Sequence, residues 1–579
     1  MKPRDRALAL LACLLASRSP SPAASIGYRG DGTGVYPGDC RPVSQWREYA
    51  DLPAPQGNGG PDPAKPLMEN VVWRAPLANC GDGQPIAVGK RLYVVSEPGW
   101  PEGADAPTLQ CFDADTGREV WRAQVDPLDA LSGAGAAEAR ALRRRYWDAL
   151  RRMYVLAAEF NGAAEARRQA IQNELDALGV GRLTRKGAFS PLAGQCAAPL
   201  EARPLRDLGR AWNFVVPTWG YTCMGMAFST PCSDGRAVYV ATAYGCVAAY
   251  DLDGGRRWFT WMFAPGRGRR PGSDAATKAN TWGANSPVLV GQRLMYRCQG
   301  YVFGLNTETG DVVWEDCLKD ADDPQDNGRS PVGSLVHLRV DGTDMVVNPR
   351  GETYRTLDGR KLADPLYPSM RGMGHHTFAV DRERNVLFFG SGGPNGTKEF
   401  GDGVWAVKVE MDGPDRAKAR LLWRDSLHRC DDETAVYAGG RLYVSGAGVY
   451  AGDGQRLGDL RLSGTHGLVA AGGRLWSGLP GGESCTFGNA PINADGLVGP
   501  EVLNRLGHFG PFDESKALQV RSMTGCSDMG KWYAWAFGRS YPFFSGNRVF
   551  IRTYDALYCI GNPAEPFEPS AASSPAGPR

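Results

Sequence analysis

The sequence predicts an all-β chain folded as an eight-bladed β-propeller, with a helical hairpin inserted between blades 1 and 2. Three observations predict it: a composition rich in glycine and aromatic residues, a strand–turn unit that recurs along the chain, and a last unit whose missing strand lies near the other end of the sequence. Glycine supplies 75 of 579 residues, about 13% against a usual value of roughly 7%. Aromatics make up 10%, with 16 Trp and 21 Tyr. Glycine turns between aromatic and β-branched runs mark many short strands. Length alone would suggest several domains, but a closed repeat array runs this long as one.

Residues 1–25 read as a signal peptide. A basic start, Met1-Lys2-Pro3-Arg4, precedes the apolar run 7–16 and a small-residue zone ending near Ser25, the layout of a cleaved export signal. The run is too short to span a bilayer, and no later segment is apolar enough to do so. The chain is therefore expected to be secreted or periplasmic; lipid anchoring through Cys13 and an uncleaved anchor are the alternatives. Of 14 Cys, 13 follow Cys13, an odd number that an oxidising compartment cannot pair completely within one chain. None is spaced C-x-x-C, so zinc-ribbon, thioredoxin-like and haem-attachment readings lapse. A formal net charge of +2 argues against a nucleic-acid partner.

A lead-in of residues 26–69 precedes the repeats. Blade 1 is read within 70–127 as QPIAVGKRLYVVSEPG, an excursion, then LQCFDADTGREVWR. Blades 2 and 3 repeat it as TPCSDGRAVYVATAYGCVAAYDLDGGRRWF and SPVLVGQRLMYRCQGYVFGLNTETGDVVWE. Each unit is four strands, the third ending at Asp or Asn and the fourth carrying Trp. Short side-chain oxygens at that last turn can bond nearby backbone N–H groups, and a glycine there can take positive φ. Trp121, Trp258 and Trp314 are then placed to wedge between neighbouring blades. Five weaker units, beginning near Ser330, Thr377, Thr434, Gly467 and Tyr541, complete blades 2–8 over 211–562. The fourth is the most degenerate; if it is only a long loop, the ring has seven blades. The last unit supplies three strands, and the stretch around Trp73 supplies the fourth, which closes the ring and removes two exposed edges.

Residues 128–210 interrupt the pattern. Leu142, Tyr146, Leu150, Met153 and Ala157 lie at helical spacing, and 163–178 repeats the style, which predicts a helical hairpin. Its other face carries Arg140, Arg143, Arg144, Arg151 and Arg152. That face is read as solvated, with the insertion 130–178 a candidate docking surface. Residues 563–579, rich in Pro, Ala and Ser, are expected to form a disordered tail.

The segments FDADTGREVW, YDLDGGRRW and LNTETGDVVW resemble the Trp-docking repeat of pyrroloquinoline-quinone (PQQ)-dependent dehydrogenases and their non-enzymatic relatives, among them the propeller lipoprotein of bacterial outer-membrane assembly. The stretch YRGDGTGVYPGDCRPVSQW is similar to the lead-in of exported bacterial proteins with this repeat. The resemblance covers roughly 28–122 and 220–562 and implies the fold, while the repeat serves redox enzymes and scaffolds alike. Members that bind PQQ typically hold calcium with carboxylate and Asn oxygens, use an Asp base, and often roof the cofactor with a disulfide between adjacent Cys. This sequence has no adjacent Cys pair and no haem-attachment motif, so PQQ is not the expected cofactor.

Propellers place their sites around the axis, where loops enter the innermost strands. Aligning the units puts Gly83, Ser229, Asn285, Arg329, His376, Glu433, His466 and Ser540 at the position before each first strand. Blades 5 to 7 thus present His376, Glu433 and His466 in one register, with His375 and Asp432 beside them. Two imidazoles and a carboxylate can bind a divalent metal or form an acid–base set. They can equally line a wet channel. Asn285 and Arg329 suit the anchoring of an anionic ligand. The sequence has no H-E-x-x-H, G-x-S-x-G or P-loop, and its Arg29-Gly30-Asp31 triplet is short enough to arise by chance. The reading is an exported module that binds a protein, glycan or small ligand. The alternative is a quinoprotein-like or metal-dependent oxidoreductase with its site in the axial funnel.

Overall fold

The computed structural model describes residues 25–48, 68–78, 83–96, 106–131, much of 135–178, 182–183, 189–190, 229–242, 245–264, 267, 285–298, 300–318, 333–372, 377–391, 403–428, 434–460, 462, 466–479, 485–506, 541–553 and 556–571. They form an eight-bladed β-propeller. Blade 1 runs Ile86–Val88, Arg91–Ser96, Thr108–Asp113 and Glu119–Gln124. Blades 2 to 6 repeat this antiparallel order up to Arg456–Gly458. Blade 7 begins at His466–Ala471, and blade 8 contains Phe543–Ser545, Arg548–Arg552 and Ala556–Ile560. The first strands of most neighbouring blades touch and so surround the axis.

The ring closes as the sequence predicts. Strand Val71–Pro76 pairs antiparallel with Ala556–Ile560, with Trp73 opposite Cys559 and Arg74 opposite Tyr558. The pairing covers the edges that the two terminal segments would otherwise expose.

What joins one blade to the next is the outer-strand Trp. The Nε1 of Trp73, Trp121, Trp258, Trp314 and Trp423 donates to Ala114 O, Leu252 O, Thr307 O, Thr356 O and Gly452 O of the following blade, at 2.8–3.2 Å. Each ring lies on a glycine of the turn before the next outer strand. At Gly117, with φ +70°, a Cβ would stand 2.5 Å from the Trp73 ring, so both the backbone conformation and the contact require glycine. The turn is fixed as expected, by Asp113 Oδ1 accepting from Thr116 N at 3.0 Å and Thr116 Oγ1 at 2.9 Å. Blade 4 is a full blade, but its outer strand Lys361–Ala363 is short and carries no Trp.

A second belt runs near the axis. Gln84 N donates to Thr230 Oγ1 of the next blade at 3.0 Å, Thr230 N to Ser286 Oγ at 3.0 Å, and Ser286 N to Ser334 Oγ at 3.4 Å. Ser334 N then donates to Thr377 Oγ1 at 2.9 Å, and Thr377 N to Thr434 Oγ1 at 3.3 Å. These residues open successive inner strands, and all are buried. A Thr434→Val substitution leaves the Thr377 N–H without its acceptor and is expected to lower stability by about 1–3 kcal/mol. The urea midpoint of the variant, read at unchanged slope, checks this.

The belt also corrects the register of blade 4. The unit begins at Ser334, not near Ser330, and its inner strand is Val336–Val340. The axial position is therefore Gly333. Arg329, assigned there from sequence, lies four residues earlier and outside the described residues.

The lead-in is an integral part of the propeller. Ile26 pairs with Ser233 through two backbone hydrogen bonds of 3.0 and 2.8 Å. Asp31 accepts from Arg382 Nη1 in blade 5 at 2.7 Å. Tyr36 N donates to Ala470 O in blade 7 at 2.8 Å, and Arg41 N to Gly546 O in blade 8 at 2.7 Å. These partners cluster toward the far ends of the inner strands, so the lead-in covers that mouth of the channel. It then leaves through the seam between blades 7 and 8. There Trp46, fully buried, stacks on Trp476 at 5.8 Å, and Arg47–Glu48 and Met68–Glu69 extend blade 7 to six strands.

Helical residues are described between 135 and 160, and Glu165–Leu178 is a helix. Of the five arginines expected to face solvent, Arg143 is buried instead, while Arg140, Arg144 and Arg152 remain exposed. Arg143 forms a buried bidentate pair with Asp126 at 2.7 and 2.8 Å. Arg140 pairs with Asp129 at 2.9 Å, and Arg152 with Glu174 at 2.5 Å. Arg151 lies outside the described residues. The C-terminal stretch also departs from expectation. Phe567 is buried, and Ser570 Oγ donates to Asp39 at 2.8 Å, so residues 563–571 are packed against blade 8 and the lead-in.

Candidate binding site in the axial channel

The candidate site is the mouth at which the inner strands begin, opposite the one the lead-in covers. Two of the residues that the alignment placed there are described with their side chains. Ser229 and Asn285 are 0% and 1% exposed, and Ser229 Oγ, Asn285 Oδ1 and Asn285 Nδ2 have no hydrogen-bond partner among the described residues. Buried polar atoms left unpaired are rare in native proteins, and each calls for a water, an ion or a ligand. The wall around Asn285 is strongly polar. Its N–H donates to Arg297 O at 3.4 Å, and Arg297 is itself 1% exposed. Burial pushes the Arg297 guanidinium down to about 10, opposed by the Glu352 carboxylate of blade 4.

His375, His376, Asp432 and Glu433 lie outside the described residues. His466 is the first residue of its strand and pairs with Gly478; its backbone therefore opens the inner strand of blade 7. Among the described residues no three His, Cys, Asp or Glu side chains gather as a metal site.

The residue that sequence reasoning missed is Arg29. Its backbone N–H donates to Gln84 Oε1 at 2.8 Å, and its Nη2 donates to Ala435 O at 2.8 Å and Leu468 O at 2.6 Å. Ala435 and Leu468 each follow an aligned axial position by two residues, so the guanidinium forms the floor of the funnel, one layer below that ring. Tyr541 lies under it at 5.6 Å, and Gln84 Nε2 ties the assembly to Tyr36 Oη at 2.7 Å. The only sequence signal was indirect. Glycines at 27, 30, 32 and 34 mark a backbone that must approach other groups closely. The Arg29-Gly30-Asp31 triplet is thus spent inside the propeller.

The PQQ-like family model described as outer membrane protein assembly factor BamB matches residues 69–162 and 216–351. Among solved structures, BamB from Moraxella catarrhalis aligns at 13% identity over 57% of this chain and 83% of its own, with a TM-score of 0.35. The quinohemoprotein alcohol dehydrogenase ADHIIG from Pseudomonas putida HK5 aligns at 12% identity over 86% and 77%, with a TM-score of 0.29. Quinohemoprotein alcohol dehydrogenase from Comamonas testosteroni aligns at 9% over 78% and 81%, with a TM-score of 0.28. Comparison with curated protein sequences finds no match.

Proposed function

Because this chain carries the PQQ-like β-propeller repeat, we propose that it is an exported binding module whose ligand enters the axial funnel at the mouth opposite the lead-in. The observation that carries this reading is the set of unpartnered buried atoms on Ser229 and Asn285 at one end of a channel covered at the other. The name of the matching family model, an assembly factor, supports a role in protein interaction. No described helix is long and apolar enough to cross a membrane. Export rests on the reading of residues 1–25, of which 1–24 lie outside the described residues.

Metal analysis of the purified full-length protein, with a PQQ titration followed by absorbance, tests this against the oxidoreductase alternative. The expected result is no stoichiometric metal and no quinone binding. A stoichiometric metal lost on His376→Ala and His466→Ala, or saturable PQQ binding, would overturn the module reading in favour of an enzyme.

A further inference from the structure

We propose that the funnel recognises a small oxyanion, a carboxylate or a phosphate, and that Arg29 is the group that binds it. The inference rests on the reading of the channel as a ligand site and names the class of its ligand. A guanidinium carries five N–H donors. Two carbonyls account for Nη2 of Arg29, while Nε and Nη1, with three donors between them, have no partner among the described residues. The side chain is 0% exposed, so water outside the protein does not complete the set.

The charge is also uncompensated. Arg29 forms no ion pair among the described residues. The carboxylate nearest in sequence, Asp31, is committed to Arg382 Nη1 at 2.7 Å and to Thr33 N at 3.0 Å. The Tyr541 face at 5.6 Å offers a quadrupole rather than a counter-charge. A buried cation without a partner is strongly unfavourable. A ligand bearing negative charge and oxygen lone pairs answers both deficits at once, and Arg is the side chain best suited to carboxylate and phosphate oxygens. Ser229 and Asn285, before the inner strands of blades 2 and 3, carry further donors without a partner among the described residues.

Why the arginine comes from the lead-in has a geometric answer. A Cβ on Gly34 would stand 2.3 Å from Arg29 Nη2, so the lead-in folds directly over its own guanidinium and holds it in place. Unseating the lead-in would remove the anion site with it.

Calorimetric titration of the full-length protein with acetate and, separately, with phosphate at fixed ionic strength tests the proposal. One equivalent of at least one of the two should bind saturably. Arg29→Gln should weaken that binding at least tenfold, and Arg29→Lys, which restores the charge, should recover part of it. Hydrogen exchange over residues 26–36 reports whether the lead-in stays seated in each variant. No saturable binding of either anion to the unaltered protein would overturn the inference, as would undiminished binding by Arg29→Gln with the lead-in seated. If the variants do not fold, the isotherm of the unaltered protein decides. A negative titration with metal- and quinone-free protein sinks only the anion assignment, whereas bound metal or quinone sinks the module reading and leaves the titration to be scored separately.

Discussion

Truncating Trp73 to alanine is expected to destabilise the propeller by about 3–5 kcal/mol, the range for deleting a buried Trp side chain. The ring is 8% exposed, its Nε1 donates to Ala114 O at 2.9 Å, and it lies on Gly117. The same contacts recur at Trp121, Trp258, Trp314 and Trp423, but Trp73 alone sits on the strand that joins the two ends of the array. Its loss weakens the strand pairing of Val71–Pro76 with Ala556–Ile560 and the docking of blade 8 on blade 1 together. Chemical denaturation should therefore show a lower midpoint, and hydrogen exchange should rise first in 71–76 and 556–560. A Trp121→Ala variant, at the junction of blades 1 and 2, should leave those segments protected. Equal exchange in the two variants would contradict the idea that the seam is special.

The blades were legible because their turns are local. Asp113, Asp251 and Asn306 accept hydrogen bonds from N–H groups within four residues, so sequence spacing records the geometry directly. Blade 4 was displaced because Ser330-Pro331 imitates the Thr230-Pro231 and Ser286-Pro287 starts of blades 2 and 3, while the true start, Ser334-Leu335, lacks that proline. The tail was misjudged on composition. Its Pro, Ala and Ser suggest disorder, yet one aromatic, Phe567, and one hydroxyl, Ser570, suffice to anchor it. Arg29 was illegible for a different reason. Its two carbonyl partners lie 406 and 439 residues away, and no periodicity connects a single side chain to contacts at that range. The register argument did identify Ser229 and Asn285 as axial positions, but not that their polar atoms go unpaired. That property depends on what the opposite wall provides.

The lead-in also explains how the ring tolerates junctions without a Trp latch, and this yields the second large prediction. The outer strand of blade 7, Val502–Leu506, has no Trp to dock on blade 8. Trp46 enters that seam instead. It is 0% exposed, stacks on Trp476, and Trp476 in turn packs on Phe544 of blade 8 at 5.1 Å. Its backbone is held by Asn504 Oδ1, which accepts from Trp46 N at 2.9 Å. Trp46→Ala is therefore expected to cost about 3–5 kcal/mol, as much as removing a latch that belongs to a blade. Its distinguishing consequence is spatial: amides of 26–46 should lose protection while those of blades 2 to 4 keep theirs. Because the same segment carries Arg29 across the axis, the variant should also open the covered mouth and loosen the floor of the funnel. Trp46→Phe, which keeps an aromatic face on Trp476, should recover most of both effects, since Trp46 Nε1 makes no hydrogen bond among the described residues. If Trp46→Ala left the lead-in protected, the anchoring would have to be assigned to its other contacts, at Ile26, Arg29, Asp31, Tyr36 and Arg41.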